Sequence, residues 1–163
     1  MRQLPAVPVV LALLATACGA DSPTSPSATS AVISDAVRVA LEQAIVDEYR
    51  AETIYEGVIN DFGAWAPFAN VLTAEQRHST SIAGLFTSRG MSVPANAWTM
   101  ATVPHFPTIP AACAAGVVAE QENIAIYDRS FGLDLPADVR QVFENNRAAS
   151  LFNHLPAFQR CAG

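Results

Sequence analysis

The sequence predicts an all-α domain: a four-helix bundle made of two antiparallel helical hairpins joined by a long crossover. Three observations predict it. Apolar residues recur at helical spacing in four separate segments, and strand-like alternation is absent. Alanine, the strongest helix former, is abundant throughout and lets helices approach closely. Between the second and third segments, residues 91–110 carry Pro94, Pro104, Pro107 and Pro110 and no convincing element of their own.

Helix 1 is expected from Asp35 to Phe62, with Ser34 as N-cap and a stripe of Val37, Leu41, Ala44, Ile45, Tyr55, Val58, Ile59 and Phe62. Helix 2 runs from Pro67, a favoured first-turn residue, to Arg89, where Gly90 stops it. Its stripe is Phe68, Val71, Leu72, Ile82, Leu85 and Phe86. Helix 3 spans Ala111 to Phe131, with Cys113, Val117, Ile124, Tyr127 and Phe131 on one side. Helix 4 spans Pro136 to Arg160, with Val139, Phe143, Ser150, Ala157 and Phe158 inward. Pro156 should kink its last turns by freeing the carbonyl of Phe152.

The chain of 163 residues is 51% hydrophobic and 15% charged, so where the apolar residues lie decides its class. Arg2 precedes an apolar run from Leu4 to Ala17, too short for a span of about 20 residues but right for a secretory signal. Leu14-Ala15-Thr16-Ala17-Cys18 resembles a bacterial lipobox, in which Cys18 is acylated and becomes the new N-terminus; ordinary cleavage near Ala20 is the alternative. Residues 18–33 then read as a flexible tether and 34–161 as the folded domain. This places the domain outside the cytoplasm, attached to a membrane only through a lipid anchor. Nine arginines and no lysine stand against fifteen acids, which argues against a nucleic-acid partner. A homodimer is compatible with the sequence.

The interruptions in the stripes carry the chemistry. Helix 1 passes through Glu48, with Glu52 a turn later; helix 2 through Glu75 and His78; helix 3 through Glu120; helix 4 through His154. An unpaired buried carboxylate is costly, so three of them converging with two histidines are best stabilised by multivalent cations. Glutamates together with a Glu-x-x-His pair are the ligand types of a dimetal-carboxylate site. Any one such pair arises easily by chance, and charges at a stripe edge are the plain alternative. Four helices sharing the pattern favour metal: two ions, iron first and manganese second. A full site has four glutamates, and helix 4 lacks its own: Ser150 and Leu151 stand a turn before His154. Glu144 lies about 80° around that helix from His154, which points to a peripheral or surface acid more than to a ligand. Glu52, Glu144 and Glu122 are candidates for a further ligand, with Asn123 and Asn153 as neutral ligands or supporting groups.

Tyr55 and Tyr127 each follow a glutamate by seven residues, Glu48 and Glu120, nearly two turns along the same face. They are expected to donate to the ligands, or to be core aromatics. Cys113 precedes Glu120 by seven residues and Cys161 follows His154 by seven. In antiparallel helices both cysteines then lie about 10 Å from the metal plane at the same end. A Cys113–Cys161 disulfide is therefore predicted, in keeping with an oxidising compartment.

The stretches Glu48 to Tyr55, Asn70 to His78, Gly116 to Ile124 and Asn153 to Phe158 resemble an uncharacterised ferritin-like domain family of bacteria and archaea, known as a domain of unknown function. Glu75-Gln76-Arg77-His78 and the Asn-His-Leu-x-Ala-Phe segment starting at Asn153 are the specific parts of the likeness. Gln121 and Asn123 stand where that family usually has acids, and Pro156 is a local departure. The resemblance implies a ferritin-like fold and a dimetal centre without an established reaction; helix 4 of that family also lacks a Glu-x-x-His. The functions in view are an exported metal protein with oxygen- or peroxide-dependent redox chemistry, metal sequestration without turnover, and a metal-free envelope scaffold. His105, in the long connection, is expected at the surface.

Overall fold

The computed structural model describes residues 32–163; the expected signal segment, Cys18 and nearly all of the tether lie outside the described residues. Those described residues are all-helical. Helix α1 covers Asp35–Phe62, α2 Phe68–Thr87 and α3 Ile109–Ser130. A fourth helical rod comprises α4 (Ala137–Ala149), a π-helical turn (Ser150–His154) and α5 (Leu155–Ala162).

Local chemistry sets the ends. The Ser34 hydroxyl accepts the Val37 N–H at 3.3 Å and caps α1 as expected. Gly63, at φ 89°, closes that helix with its N–H on the Ile59 carbonyl, a backbone setting that favours glycine. Helix α3 begins two residues earlier than the sequence suggested. Thr108 accepts the Ala111 N–H and caps it, and Pro110 is tolerated in the first turn because its missing N–H has no helical partner there.

Just before Pro156 the rod contains a π turn, whose closing bond runs from the Leu155 N–H to the Ser150 carbonyl, five residues back. The consequence is register. Buried positions on this rod run Asn146, Ser150, His154 and Phe158, at steps of four. In a regular α-helix each such step drifts by about 40°. A turn widened by one residue takes up part of that drift, and Ser150, His154 and Phe158 all face inward.

Helix α1 packs against α2 and α3, α3 against α5, and α2 against α4. The connection between α2 and α3 runs along α1. Met91 and Val93 pack on the core near Val37 and Phe86. The Trp98 indole N–H then donates to the Val46 carbonyl at 3.3 Å, and His105 pairs with Asp61 at 2.7 Å near the far end of α1. His105 is exposed, as expected. The Cys113–Cys161 disulfide is present, with Cα atoms 5.7 Å apart, and joins the start of α3 to the end of α5. The two helices are thus antiparallel, as its prediction required.

Two apolar plugs fill the bundle. One gathers Leu41, Ile45, Ile82, Phe86, Val139 and Phe143; the other gathers Tyr55, Val58, Phe68, Val71, Cys113 and Phe158. Burying each large side chain contributes about 1.5–3 kcal/mol. In the second plug the Phe158 ring lies so close to Gly116 that a Cβ there would come within 2.7 Å of it. Only glycine lets α3 and α5 meet at that point. Along every helix, the residues between the two plugs are the inward acids and histidines.

Candidate metal centre

Glu75 and His78, three apart on α2, share one face, and the Glu75 Oε2 lies 2.8 Å from His78 Nδ1. The other Glu75 oxygen lies 3.1 Å from His154 Nδ1, so this one carboxylate links two imidazoles. Glu48 Oε2 approaches His78 Nδ1 at 3.4 Å, and Glu120 Oε2 approaches His154 Nδ1 at 3.3 Å. The result is two triads, Glu48–Glu75–His78 and Glu75–Glu120–His154, each with its donor atoms within 4.8 Å of one another. The two imidazole rings stack with centroids 5.4 Å apart. All five residues are buried. The structure thus brings together every residue of the principal predicted ligand set.

The electrostatics of so many buried acids are severe. Burial, then the neighbouring Glu75 carboxylate, pushes the Glu48 pKa up to about 7. Burial alone would lower both imidazoles, but the facing carboxylates outweigh it. Glu48 and Glu75 hold His78 up at about 10, and Glu120 and Glu75 hold His154 up at about 9. Without a metal, two imidazolium charges therefore stand where cations would. They do not complete the site: Glu48 Oε2, Glu120 Oε2 and His154 Nδ1 are buried without a hydrogen bond of good geometry. Once the imidazoles give up those protons, the carboxylate oxygens and imidazole nitrogens gathered in each triad are a donor set suited to iron, manganese or zinc.

The tyrosines act across the bundle. Tyr55 of α1 donates to Glu120 Oε1 of α3 at 2.7 Å, and Tyr127 of α3 donates to Glu48 Oε1 of α1. Each tyrosine supports the glutamate of the other helix rather than its own. Antiparallel packing places residue 55 level with 120 and 48 level with 127, so seven-residue spacing on both helices makes the exchange reciprocal. Burial and the adjacent carboxylates hold both phenols well above their usual pKa, so they stay protonated donors.

Other candidates separate clearly. Asn123 is buried and supports the site, donating to Glu48 Oε1 at 3.1 Å and to Asp47 Oδ2 at 3.0 Å while accepting from Ser150 Oγ at 2.9 Å. Ser150, a turn before His154, is thus engaged as a hydroxyl donor. Glu52 is half-buried and raised in pKa by burial, but belongs to neither triad. Glu144 is exposed, because the inward face of α4 passes through Phe143 and Asn146 on either side of it; it is no ligand. Asn153 is also exposed: the π turn directs His154 inward and leaves its neighbour outside. Glu122 is exposed and pairs with Arg50 at 2.9 Å.

Two supporting residues escaped the sequence reading. Asp47 is buried, held by Arg50 at 2.8 Å and by Asn123, and burial raises its pKa against the pull of Arg50. An arginine three residues on is the pattern of an ordinary surface pair, and here Asn123 of α3 packs over the aspartate. Asn146 donates to the Tyr127 hydroxyl at 3.2 Å; its place one turn before Ser150 was the available signal.

No protein-family model, no curated protein and no solved structure matches this chain, so the site is interpreted from its own geometry.

Proposed function

We propose that this chain is an exported ferritin-like protein whose bundle core holds two metal ions, iron first and manganese second. The single observation that carries this is the pair of buried triads sharing Glu75, in which one oxygen of Glu48 and one of Glu120 have no hydrogen bond and face the histidines. Glu48 and His78 would hold one ion, Glu120 and His154 the other, and Glu75 both. Bound iron or manganese supplies one-electron chemistry toward dioxygen or peroxide.

The chain's own residues do the rest. Tyr127 and Asn123 orient Glu48, and Tyr55 orients Glu120, which leaves the second oxygen of each carboxylate for the cation. His78 and His154 give up their protons when a cation enters. The two apolar plugs keep bulk water from the carboxylates on both sides. The sequence of residues 1–18 supports export and a lipid anchor at Cys18, which sets this chemistry on the outer side of a bacterial membrane.

Elemental analysis of freshly purified protein tests the proposal, with about two equivalents of iron or manganese per chain expected. Absence of transition metal after reconstitution with iron, manganese and zinc would leave a metal-free helical scaffold. Oxygen or peroxide consumption by the reduced iron form separates redox turnover from sequestration.

A further inference from the structure

The fourth helical rod gives the proposed centre no carboxylate. Its inward polar positions are Asn146, Ser150 and His154, and the Ser150 hydroxyl is committed to Asn123. The triads supply Glu48, Glu75 and Glu120, three negative charges against the four positive charges of two divalent cations. A net charge at this depth is expensive, so the acids just outside the triads decide whether the chain balances it itself.

Asp47 is engaged on both oxygens, Oδ1 by Arg50 and Oδ2 by Asn123, and the exposed Glu122 shares the same guanidinium. Glu52 differs. It stands one turn after Glu48 on α1, half-buried, and its Oε1 is sealed from solvent without a hydrogen-bond partner. Among the described residues no base pairs with it; apart from burial, its surroundings are the Ser79 hydroxyl, which favours its charged form, and the carboxylates Glu48, Glu56 and Glu75, which oppose it. Glu48 and Glu75 share a triad with His78, and the fully buried Glu48 turns an unpartnered Oε2 toward that histidine. Two neighbouring carboxylates, each with a buried oxygen that no donor satisfies, are stabilised by a shared cation.

We infer that Glu52 is the fourth carboxylate of the loaded centre, joining Glu48, Glu75 and His78 on the ion they hold. The inference rests on the proposed metal centre. Helix α1 then contributes two acids a turn apart on one face, in place of the glutamate that the fourth rod lacks. Four carboxylates meet two divalent cations, and the buried charge balances. Glu52 lies outside both triads in this structure, so loading turns its side chain toward Glu48, a change of rotamer that a half-exposed glutamate can make.

The test titrates the purified chain with cobalt(II), whose visible spectrum reports the ligands around each ion. In Glu52→Gln, which keeps the shape and removes the charge, one of the two cobalt ions should bind at least about tenfold more weakly, and its visible band should shift. Glu56→Gln removes an equally half-buried acid one turn further along α1 and should bind both ions as the wild type does. Where Glu52→Gln fails to fold, Glu52→Asp carries the test with the same expected direction, because it keeps the charge and draws the carboxylate back by one methylene. Wild-type cobalt affinity in the Glu52 variant, weaker binding with an unchanged spectrum, or an equal loss in Glu56→Gln overturns the inference and leaves the metal centre standing. A wild-type chain that takes up no cobalt, iron or manganese overturns both.

Discussion

The two halves of the candidate centre use the same ligand types and are supported very differently. Glu48 accepts from Tyr127 and Asn123, Tyr127 is itself held by Asn146, and Asn123 by Ser150. Glu120 accepts from Tyr55, while His154 borders an open groove. One half is braced by a network drawn from three helices; the other relies on a single phenol and lies beside a surface groove. A buried carboxylate held by more donors is more rigidly placed. Similar Glu–His pairs can thus make one more and one less firmly held position within a single site.

The largest effect tests whether the halves are one site at all. Glu75→Ala removes the carboxylate they share, so metal content should fall from about two ions to none, whereas Glu120→Ala should retain about one ion in the braced half. Metal analysis of the two variants checks this, and equal losses would erase the distinction.

Acidity is the next lever. His78 and His154 are raised in the fold to about 10 and about 9 from an ordinary value of 6.5. Their contribution to the metal-free fold is complete below the ordinary value and is lost as pH rises through the raised ones. Glu48, raised from 4.5 to about 7, acts in the same direction, since the folded carboxyl keeps a proton the unfolded chain has already released. The metal-free protein should therefore melt at lower temperature as pH rises from about 5 to about 10. Added iron or manganese should stabilise it more at the alkaline end, because the ligands must lose their protons to bind. Melting curves with and without metal across that range check both signs.

The disulfide sits seven residues from Glu120 at one end and from His154 at the other, so it belongs to the less firmly held half. Its reduction should cost about 3–4 kcal/mol in denaturant unfolding and release the metal of that half first. The smallest effect compares the tyrosines. Tyr55→Phe leaves Glu120 Oε1 without its donor and should cost about 1–3 kcal/mol, whereas after Tyr127→Phe the Asn123 amide still serves Glu48 and about 1 kcal/mol is expected. Reversal of that order in unfolding measurements would mean that the bracing network is not what supports Glu48.

Much of this was readable in one dimension. Inward glutamates and histidines break an apolar stripe, and a broken stripe is visible wherever the helical period holds. Glu48, Glu75, His78 and Glu120 were found that way, and Cys113 with Cys161 followed from equal offsets on antiparallel helices. His154 was found too, four residues after Ser150 on the same inward face. Pro156 announced an irregularity near this point, but not that it would be a π turn two residues before it. Glu144 is exposed, as its offset from His154 implied; Asn153 lies in solvent beside the inward His154, because one residue's step along a helix moves a side chain from core to surface.

The sequence by itself determined the all-helical class, the inward acids and histidines, and the cysteine pairing, because each follows from the fixed rise and rotation of a helix. Only the tertiary structure decided which tyrosine serves which glutamate, that Asp47 is buried, that Ser150 binds Asn123, and that a surface groove borders His154. Those are relations between helices, set by how the apolar plugs dock them, and the period of any single helix does not contain them.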